Sequence, residues 1–170
     1  MESRAKLFGH PIHPVLVVFP LGLLATSLIF DIIGLVSGDG RWPNVAEYLI
    51  GAGVIGGLLA ACFGLVDWLA IPNGTRAKGI GLWHGAGNAV ILVLFIVSWS
   101  LRLPAPANPP TGAIVLSFIG VGLALVTGWL GGELVDRLGV GVDDGADVDA
   151  PSSLRVKHLP PRTGPSRRAA

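Results

Sequence analysis

Charged residues are scarce in this sequence. Asp, Glu, Lys and Arg make up 14% of its 170 residues, whereas an average soluble protein has about 25%. The mean hydropathy is high, at +0.67. With a formal net charge of +1 and no basic stripe with interleaved aromatic residues, the chain gives no indication of nucleic-acid binding. These features predict a membrane protein rather than a soluble domain.

Cysteine is scarcer still, and its scarcity excludes several kinds of site. The one cysteine, Cys62, cannot form a disulfide within the chain, and no Cys-x-x-Cys pair is present to hold a cluster. Because Cys62 lies in the middle of an apolar stretch, we expect a buried and inert thiol. The sequence also lacks a phosphate-binding loop, a dinucleotide fingerprint and a Ser-His-Asp arrangement, so it offers no support for a hydrolase or a nucleotide-dependent enzyme.

Long apolar runs, in contrast, are plentiful. A helix needs about 20 apolar residues to cross a bilayer, and four stretches qualify: 14–36, 45–71, 82–103 and 111–134. The first is longer than the roughly 7–15 residues of a signal-peptide core and has no cleavage site after it, so we expect an uncleaved span. The predicted fold is all-α, a four-transmembrane-helix up-down bundle over residues 1–138 that is embedded in the lipid bilayer.

Residues 139–170 differ in composition from the bundle. Residues 142–149 are acidic, whereas residues 154–170 are basic, with two adjacent prolines and no apolar period. Such a segment cannot bury enough apolar surface to offset the entropy of ordering, so we expect a flexible cytoplasmic tail.

The Lys and Arg residues are distributed unevenly between the two ends of the predicted bundle. Ten lie in the N-terminal segment, the second loop and the region after the fourth span, while two, Arg41 and Arg102, lie in the first and third loops. Cytoplasmic loops of membrane proteins carry an excess of positive residues. Both termini are therefore predicted to be cytoplasmic.

Proline and small polar residues predict the helix boundaries. His13 precedes Pro14, so the first helix is expected to begin at Pro14. Pro20 lies inside the first span and should kink it, because proline removes one backbone hydrogen bond. Asn44 is predicted to cap the second span, with the carboxylate of Glu47 returning to the helix start.

Small residues recur about every four positions on three of the helices, which indicates close packing between helix backbones. The stripes are Gly53, Gly57 and Ala61; Gly81, Gly85 and Ala89; and Gly120, Ala124, Gly128 and Gly132. Packing within one bundle is favoured over dimerisation, although the pattern alone does not decide the oligomeric state.

Polar side chains from all four spans converge at one end of the predicted bundle. An up-down path places the starts of the first and third spans beside the ends of the second and fourth. The cluster consists of His10, His13, Asp67, His84, Asn88, Glu133, Asp136 and Arg137. Because ionisable groups are costly in a membrane, their convergence predicts a functional site at the cytoplasmic face.

The histidines indicate the chemistry of this site. We predict that His13 and His84 bind either the iron of a b-type haem or a divalent transition metal. His10 is expected to be a third ligand or a supporting donor. Electron transfer is the function that such a centre suggests.

The other members of the cluster are assigned supporting roles. Asp67 and Glu133 are expected to take part in a metal site or to orient the imidazole N–H groups, and Asn88 and Arg137 to support the ligands. In the alternative interpretation of a plain hydrogen-bond network, Glu133 and Arg137 form an i, i+4 ion pair.

Two further functions remain open. Neutral histidine relays protons near pH 7, so a proton or cation path through Asp67, His84 and Asn88 is one alternative. The other is a non-catalytic membrane subunit that recruits a partner through its tail. Ion flux in liposomes would select the first of these alternatives, and a haem band would select the redox function instead.

Asp31 is assigned to the opposite end of the bundle. It lies 18 positions after His13, which corresponds to about 27 Å along a helix. We therefore expect an interfacial ion pair with Arg41 or Arg102 rather than a part of the histidine cluster.

Six short segments carry a resemblance to a known family. They are Gly9-His10-Pro11-Ile12-His13-Pro14, Phe19-Pro20-Leu21-Gly22, Asp67-Trp68, Ile71-Pro72-Asn73-Gly74-Thr75-Arg76, His84 and Gly128-Trp129-Leu130-Gly131-Gly132-Glu133-Leu134. In this combination they resemble a bacterial family of four-helix integral membrane proteins that is catalogued as a domain of unknown function. The resemblance covers roughly residues 7–142.

The resemblance implies a four-helix fold in the bacterial inner membrane but no particular activity. Some relatives join this domain to a C-terminal Rieske-type [2Fe–2S] domain, which implies electron transfer. The tail of this chain has no Cys-x-His pair, so we expect any redox partner to be a separate protein on the cytoplasmic side.

Overall fold

The computed structural model describes residues 1–154, and residues 155–170, which include most of the basic part of the predicted tail, lie outside the described residues. Four helical segments are long and apolar enough to cross a membrane: Ile12–Ser37, Arg41–Ala70, Arg76–Arg102 and Thr111–Arg137. The predicted four-helix membrane fold is confirmed. The helices extend beyond the apolar runs, because polar first and last turns continue them.

The first span consists of two helices. A short helix α1 (Ile12–Leu16) is followed by α2 (Val18–Ser37), with Val17 between them. Pro20 explains the break, since it has no N–H to donate to the carbonyl of Leu16, four residues earlier. The expected start at Pro14 is wrong, because α1 already includes His13.

The second span, α3 (Arg41–Ala70), begins earlier than predicted, and no side chain caps its first turn. Asn44 lies inside the helix. The carboxylate of Glu47 accepts a hydrogen bond from Nε1 of Trp99 at 2.8 Å. The predicted Asn44–Glu47 capping pair is therefore wrong, and Glu47 instead joins α3 to the third span.

The third span is α4 (Arg76–Arg102), and the hydroxyl of Thr75 caps its start by accepting a hydrogen bond from the Lys78 N–H at 3.2 Å. The fourth span is α5 (Thr111–Gly132), which continues into a π-helical turn over Glu133–Arg137. Each long helix packs on the next one in the chain, and α2 also packs on α5. The bundle is therefore closed.

The centre of the bundle is apolar. Leu24, Ile50, Val54, Ile91 and Phe95 are buried and form one cluster, which we call the apolar layer. Large side chains on the outer faces of the helices, in contrast, are widely exposed in the isolated chain. Since a span buried in lipid needs no polar outer surface, this distribution fits an integral membrane protein.

The small-residue stripes pack only in part. A Cβ atom added at Gly53 would lie 2.7 Å from Leu24, and one added at Gly120 would lie 2.7 Å from Phe95, so both glycines permit close helix contacts. Gly85, Gly128 and Gly132 have open space at that position. The predicted close packing is therefore confirmed at Gly53 and Gly120 and wrong at Gly85, Gly128 and Gly132.

Cys62 also differs from the expectation. Its thiol is free and exposed on the outer face of α3 rather than buried in the core. The apolar sequence around it is equally compatible with a lipid-facing position, which explains the error.

A small structure formed by both ends of the described chain lies against the bundle, and we call it the terminal cap (residues 1–11 and 139–153). Strands β1 (Lys6–Leu7) and β2 (His10–Pro11) form an antiparallel hairpin. The amino group of Met1 donates to the Gly139 carbonyl at 2.9 Å. The first part of the predicted tail is thus attached to the N-terminal segment, and the division of the chain at residue 138 stays a prediction.

Charges also connect the two parts of the terminal cap. Lys6 pairs with Glu2 and, at 3.7 Å, with Asp143. The hydrogen bond to Glu2 raises the pKa of Lys6, while the Gly145 N–H and then Lys6 lower the pKa of Asp143. By linkage, the contribution of Asp143 to folding stability is lost only as the pH falls through its lowered pKa. The contribution of Lys6 is lost only as the pH rises through its raised pKa.

Candidate histidine site

His13 on α1 and His84 on α4 meet between the helices. Their ring centroids are 6.3 Å apart and the ring planes are nearly perpendicular, at 87°. Both side chains are half-buried. The predicted convergence of these two imidazoles is present in the structure.

Each imidazole is held by a backbone carbonyl of a neighbouring helix. Nδ1 of His13 lies 2.8 Å from the Ala60 oxygen on α3, and Nδ1 of His84 lies 2.8 Å from the Thr127 oxygen on α5. A carbonyl can only accept, so Nδ1 carries the proton in both rings. In the neutral rings, Nε2 therefore has the free lone pair that a metal ion or a proton would bind.

Two glycines make these contacts possible. A Cβ atom added at Gly64 would lie 2.9 Å from Cε1 and Nδ1 of His13, and one added at Gly131 would lie 3.1 Å from Cε1 of His84. Each glycine lies four residues after the accepting carbonyl. Because a helical Cβ points toward the helix N-terminus and covers the preceding turn, the absence of a side chain uncovers that carbonyl.

Asn88 and Thr127 complete the surroundings of His84. The Asn88 amide nitrogen donates to the His84 carbonyl at 2.8 Å and lies 3.3 Å from Nε2 of the same residue. The Thr127 hydroxyl donates to the Asn88 amide oxygen at 3.3 Å. The contact to Nε2 is the longer of the two amide contacts, so this nitrogen is weakly engaged. Asn88 thus contacts His84, and its supporting role toward a ligand stays a prediction.

Two members of the predicted cluster belong to the terminal cap instead. His10 is exposed, and its Nε2 contacts the Ser153 hydroxyl at 3.2 Å. The Asp67 carboxylate accepts hydrogen bonds from the Ser3 hydroxyl at 2.7 Å and from the Arg4 N–H at 2.8 Å. The structure therefore places neither residue against the imidazoles, and the orienting role predicted for Asp67 is replaced by a contact with the N-terminal segment.

The acidic and basic residues after α5 also have different partners. Glu133 pairs with Arg76 at 2.6 Å, so the predicted Glu133–Arg137 pair is wrong, as is the imidazole-orienting role of Glu133. Asp136 and Arg137 are exposed. They line a shallow cavity of about 200 Å³ together with Trp129, Gly132 and Glu133. The π-helical turn changes the i, i+4 register of a regular α-helix.

The site is consequently a two-imidazole site. Within residues 1–154, no group of three or more His, Cys, Asp and Glu side chains is close enough to hold a metal ion. Two open cavities in the described part of the chain lie beside Trp129 and beside Met1, and neither is lined by His13 or His84. The arrangement brings two imidazole rings together without a third His, Cys, Asp or Glu side chain among the described residues.

A second polar group occupies the opposite end of the bundle. Arg102 binds Asp31 through two hydrogen bonds of 2.6 Å each, and both side chains are fully buried. Ser98 and Ser117 complete the group, with 2.9 Å between their hydroxyls. The expected pairing of Asp31 with Arg102 at this end of the bundle is confirmed, and the pair is buried between the helices. Arg41 instead pairs with Asp39.

Both polar groups lie on one face of α4, and the apolar layer separates them. This face presents, in order, His84, Asn88, Ile91, Phe95, Ser98 and Arg102. The spacing of three and four residues repeats along it, as on any helix face turned to a core. Asn88 and Ser98 are about 15 Å apart along the helix axis. No polar side chain of this face bridges that gap, so the structure shows two separate polar groups rather than one continuous path.

The sequence of this chain matches one family model over residues 9–144, and the model describes a predicted membrane protein, DUF2231. The chain belongs to the DUF2231 family. The matched region begins next to His10 and includes both imidazoles, all four spans and the start of the acidic segment. No curated protein and no solved structure matches the chain. Membership of DUF2231 establishes a membrane protein and assigns no activity.

Proposed function

We propose that this protein carries a transition-metal centre between His13 and His84 and uses it for electron transfer at one face of the membrane. The centre is either a haem iron or a single metal ion, since both take two imidazole nitrogens as ligands. A separate redox protein on the cytoplasmic side is the proposed partner. The proposed location is the bacterial inner membrane, with both termini in the cytoplasm.

The observation that carries the proposal is the tautomer of the two rings. Metal-binding histidines commonly donate their second N–H to a carbonyl or carboxylate, which fixes the ring and leaves the other nitrogen free for the metal. His13 and His84 both donate from Nδ1 to helix carbonyls at 2.8 Å. Nε2 is therefore the ligand atom that each ring would present, and at His84 a metal ion would replace the 3.3 Å contact from the Asn88 amide nitrogen.

The distance between the rings also fits a shared centre. Metal–imidazole bonds of about 2.0–2.1 Å place two opposed nitrogens about 4 Å apart, and their ring centroids about 6 Å apart. The observed centroid distance is 6.3 Å. The centroid distance therefore suits a single ion bound between opposed nitrogens, whereas a haem would need the helices to separate around the macrocycle.

The proposal is tested by purifying the protein in detergent after expression with haem precursor and trace metals. An absorption band in the visible range would identify a haem, and metal analysis would identify an ion. We expect His13→Ala and His84→Ala each to abolish the bound centre while circular dichroism shows intact helices. His10→Ala is the matched control and should retain the centre, because His10 contacts Ser153 instead. A colourless, metal-free parent protein would refute the proposal.

Glu133 provides a further comparison. A carboxylate that oriented an imidazole would weaken metal binding by about 10–100-fold when changed to an amide. Because Glu133 pairs with Arg76, we expect Glu133→Gln to leave metal content and absorption unchanged.

A further inference from the structure

The two imidazoles are attached to the bundle in different ways. His84 belongs to the 27-residue helix α4. His13 belongs to the five-residue helix α1, which has no buried residue and is separated from α2 by Val17. The position of His13 therefore depends on contacts made outside its own helix.

A carboxylate on α3 binds the segment that precedes α1. Asp67 on α3 accepts hydrogen bonds from the Ser3 hydroxyl at 2.7 and 2.8 Å, from the Arg4 N–H at 2.8 Å and from the Ala5 N–H at 3.4 Å. The carbonyl of Ala5 accepts the Ile12 N–H at 2.9 Å. A continuous hydrogen-bonded connection thus joins Asp67, through residues 3–5, to the first residue of α1.

We propose that Asp67 is the latch of a movable ligand-bearing segment. When residues 1–11, the N-terminal arm, are bound to Asp67, α1 is held on α3 and His13 meets His84. When the arm is released, α1 turns about Val17 and the two imidazoles separate. The movement itself is independent of any bound group, and its role in controlling metal binding rests on the proposed function.

The local structure supports such a movement. The first span lacks one helical hydrogen bond next to Val17, because Pro20 cannot donate to Leu16, while the Val17 N–H still donates to the His13 carbonyl at 3.0 Å. The ring of His13 packs against Gly64 and donates from Nδ1 to the Ala60 carbonyl at 2.8 Å, so a release of α1 would have to break this hydrogen bond. Hydrogen bonds to an ionised carboxylate are about twice as strong as neutral ones, so Asp67 is the contact whose loss should change the equilibrium most.

The latch is tested by pulsed electron paramagnetic resonance on metal-free protein. In a Cys62→Ser background, spin labels are placed at Phe8, which is 74% exposed on the hairpin turn, and at Asn73 in the loop before α4. We expect one short distance in the parent. Asp67→Asn should add a longer population, with the released fraction increased roughly tenfold or more, as expected for the loss of a charged hydrogen-bond acceptor.

Two further variants make this result decisive. Ser3→Ala removes one donor and should produce a smaller shift in the same direction, which guards against misfolding of Asp67→Asn. Asp136→Asn is the matched control, because Asp136 is exposed near the same end of the bundle and makes no hydrogen bond to the arm among the described residues. Unchanged distances in both Asp67→Asn and Ser3→Ala would overturn the latch.

Titration with Zn²⁺ separates the latch from the proposed function. If the latch and the metal site are both correct, Zn²⁺ restores the short distance in Asp67→Asn. The variant then binds Zn²⁺ more weakly, in proportion to the fall in the fraction of molecules whose arm is bound to Asp67. A longer distance in Asp67→Asn together with no Zn²⁺ binding by the parent supports the latch and counts against the metal site. A longer distance with unchanged Zn²⁺ affinity would overturn the coupling between the arm and His13.

Discussion

At the scale of single residues, the histidine site depends on glycine as much as on polar groups. Ala60 with Gly64 on α3, and Thr127 with Gly131 on α5, form the same arrangement, in which the carbonyl accepts from an imidazole and the glycine four residues later uncovers it. The same carbonyl also accepts the N–H of residue i+4 within its helix. The rings are thus fixed to helix backbones, which move less than side chains.

Gly64→Ala tests this arrangement. The added methyl would lie 2.9 Å from the His13 ring, so we expect the ring to be displaced and the protein to lose about 1–3 kcal/mol of stability. Gly85→Ala is the control, because it has open space and gains helix propensity. Thermal unfolding in detergent compares the two. Equal or higher stability of Gly64→Ala would show that His13 does not pack against α3.

Asp31 and Arg102 illustrate the cost of charge in the interior. Both side chains are fully buried and bind each other through two hydrogen bonds. Removing one partner of a buried pair leaves an uncompensated charge and typically costs about 3–5 kcal/mol, whereas replacing both with apolar residues is often neutral. The pair is therefore weak support for stability but strong support for a unique arrangement of α2 and α4.

We expect Arg102→Met alone to be strongly destabilising and the double variant Asp31→Leu/Arg102→Met to recover most of the loss. Asp39 and Arg41 provide the control, since Arg41 is widely exposed and exposed pairs contribute little. Denaturation in mixed detergent measures each difference. A double variant no more stable than Arg102→Met would contradict this account.

The sequence identified which residues meet but assigned several of them the wrong partners. The up-down path was enough to bring His13 and His84 together, because both precede or begin long apolar runs. The partners of Asp67 could not be predicted in the same way, since the N-terminal segment that folds back onto it has no apolar period. The burial of Asp31 could have been inferred from Ser98 and Arg102, which share one face of α4.

At the scale of helices, the spans were predictable and the contacts between them only partly so. Apolar length alone identifies a membrane span, and all four were found. Stripes of small residues look alike in sequence whether they face a helix or lipid. On α5, Gly120 packs against Phe95, whereas Gly128, two turns later, has open space.

This difference predicts unequal effects of one substitution at two positions. Gly120→Leu forces a large side chain against Phe95 in the apolar layer and should destabilise the bundle by about 1–3 kcal/mol or more. Gly128→Leu adds the same side chain on an open face and should have little effect. Thermal stability in detergent decides between them, and a larger loss for Gly128→Leu would indicate a helix or subunit contact on that face.

At the scale of the whole molecule, the orientation in the membrane determines which compartment reaches the histidine site. Ten of the twelve Lys and Arg residues belong to the end of the chain path that holds His13 and His84, or to the sequence after it. The positive-inside rule therefore predicts that this end faces the cytoplasm.

Cysteine labelling tests this orientation. In a Cys62→Ser background, Ala107→Cys in the third loop should react with a membrane-impermeant thiol reagent in intact cells, and Asn73→Cys in the second loop should react only after lysis. Both positions are exposed, so accessibility depends on the side of the membrane. The reverse pattern would place the histidine site at the periplasmic face.

The apolar layer has a consequence for energy conversion. His84 is the ninth residue of α4, about 12 Å from the start of that helix, and the apolar layer closes the way beyond it. An electron or ion that enters and leaves the site from this side returns across the same part of the electric field. A charge that crosses the whole membrane changes in energy by about 2.3 kcal/mol per 100 mV. A charge that enters and leaves from the same side has no net displacement across the membrane. If the proposed electron transfer takes place at this site, a complete turnover should therefore be electrically silent, and the equilibrium of the overall reaction should not depend on the membrane potential.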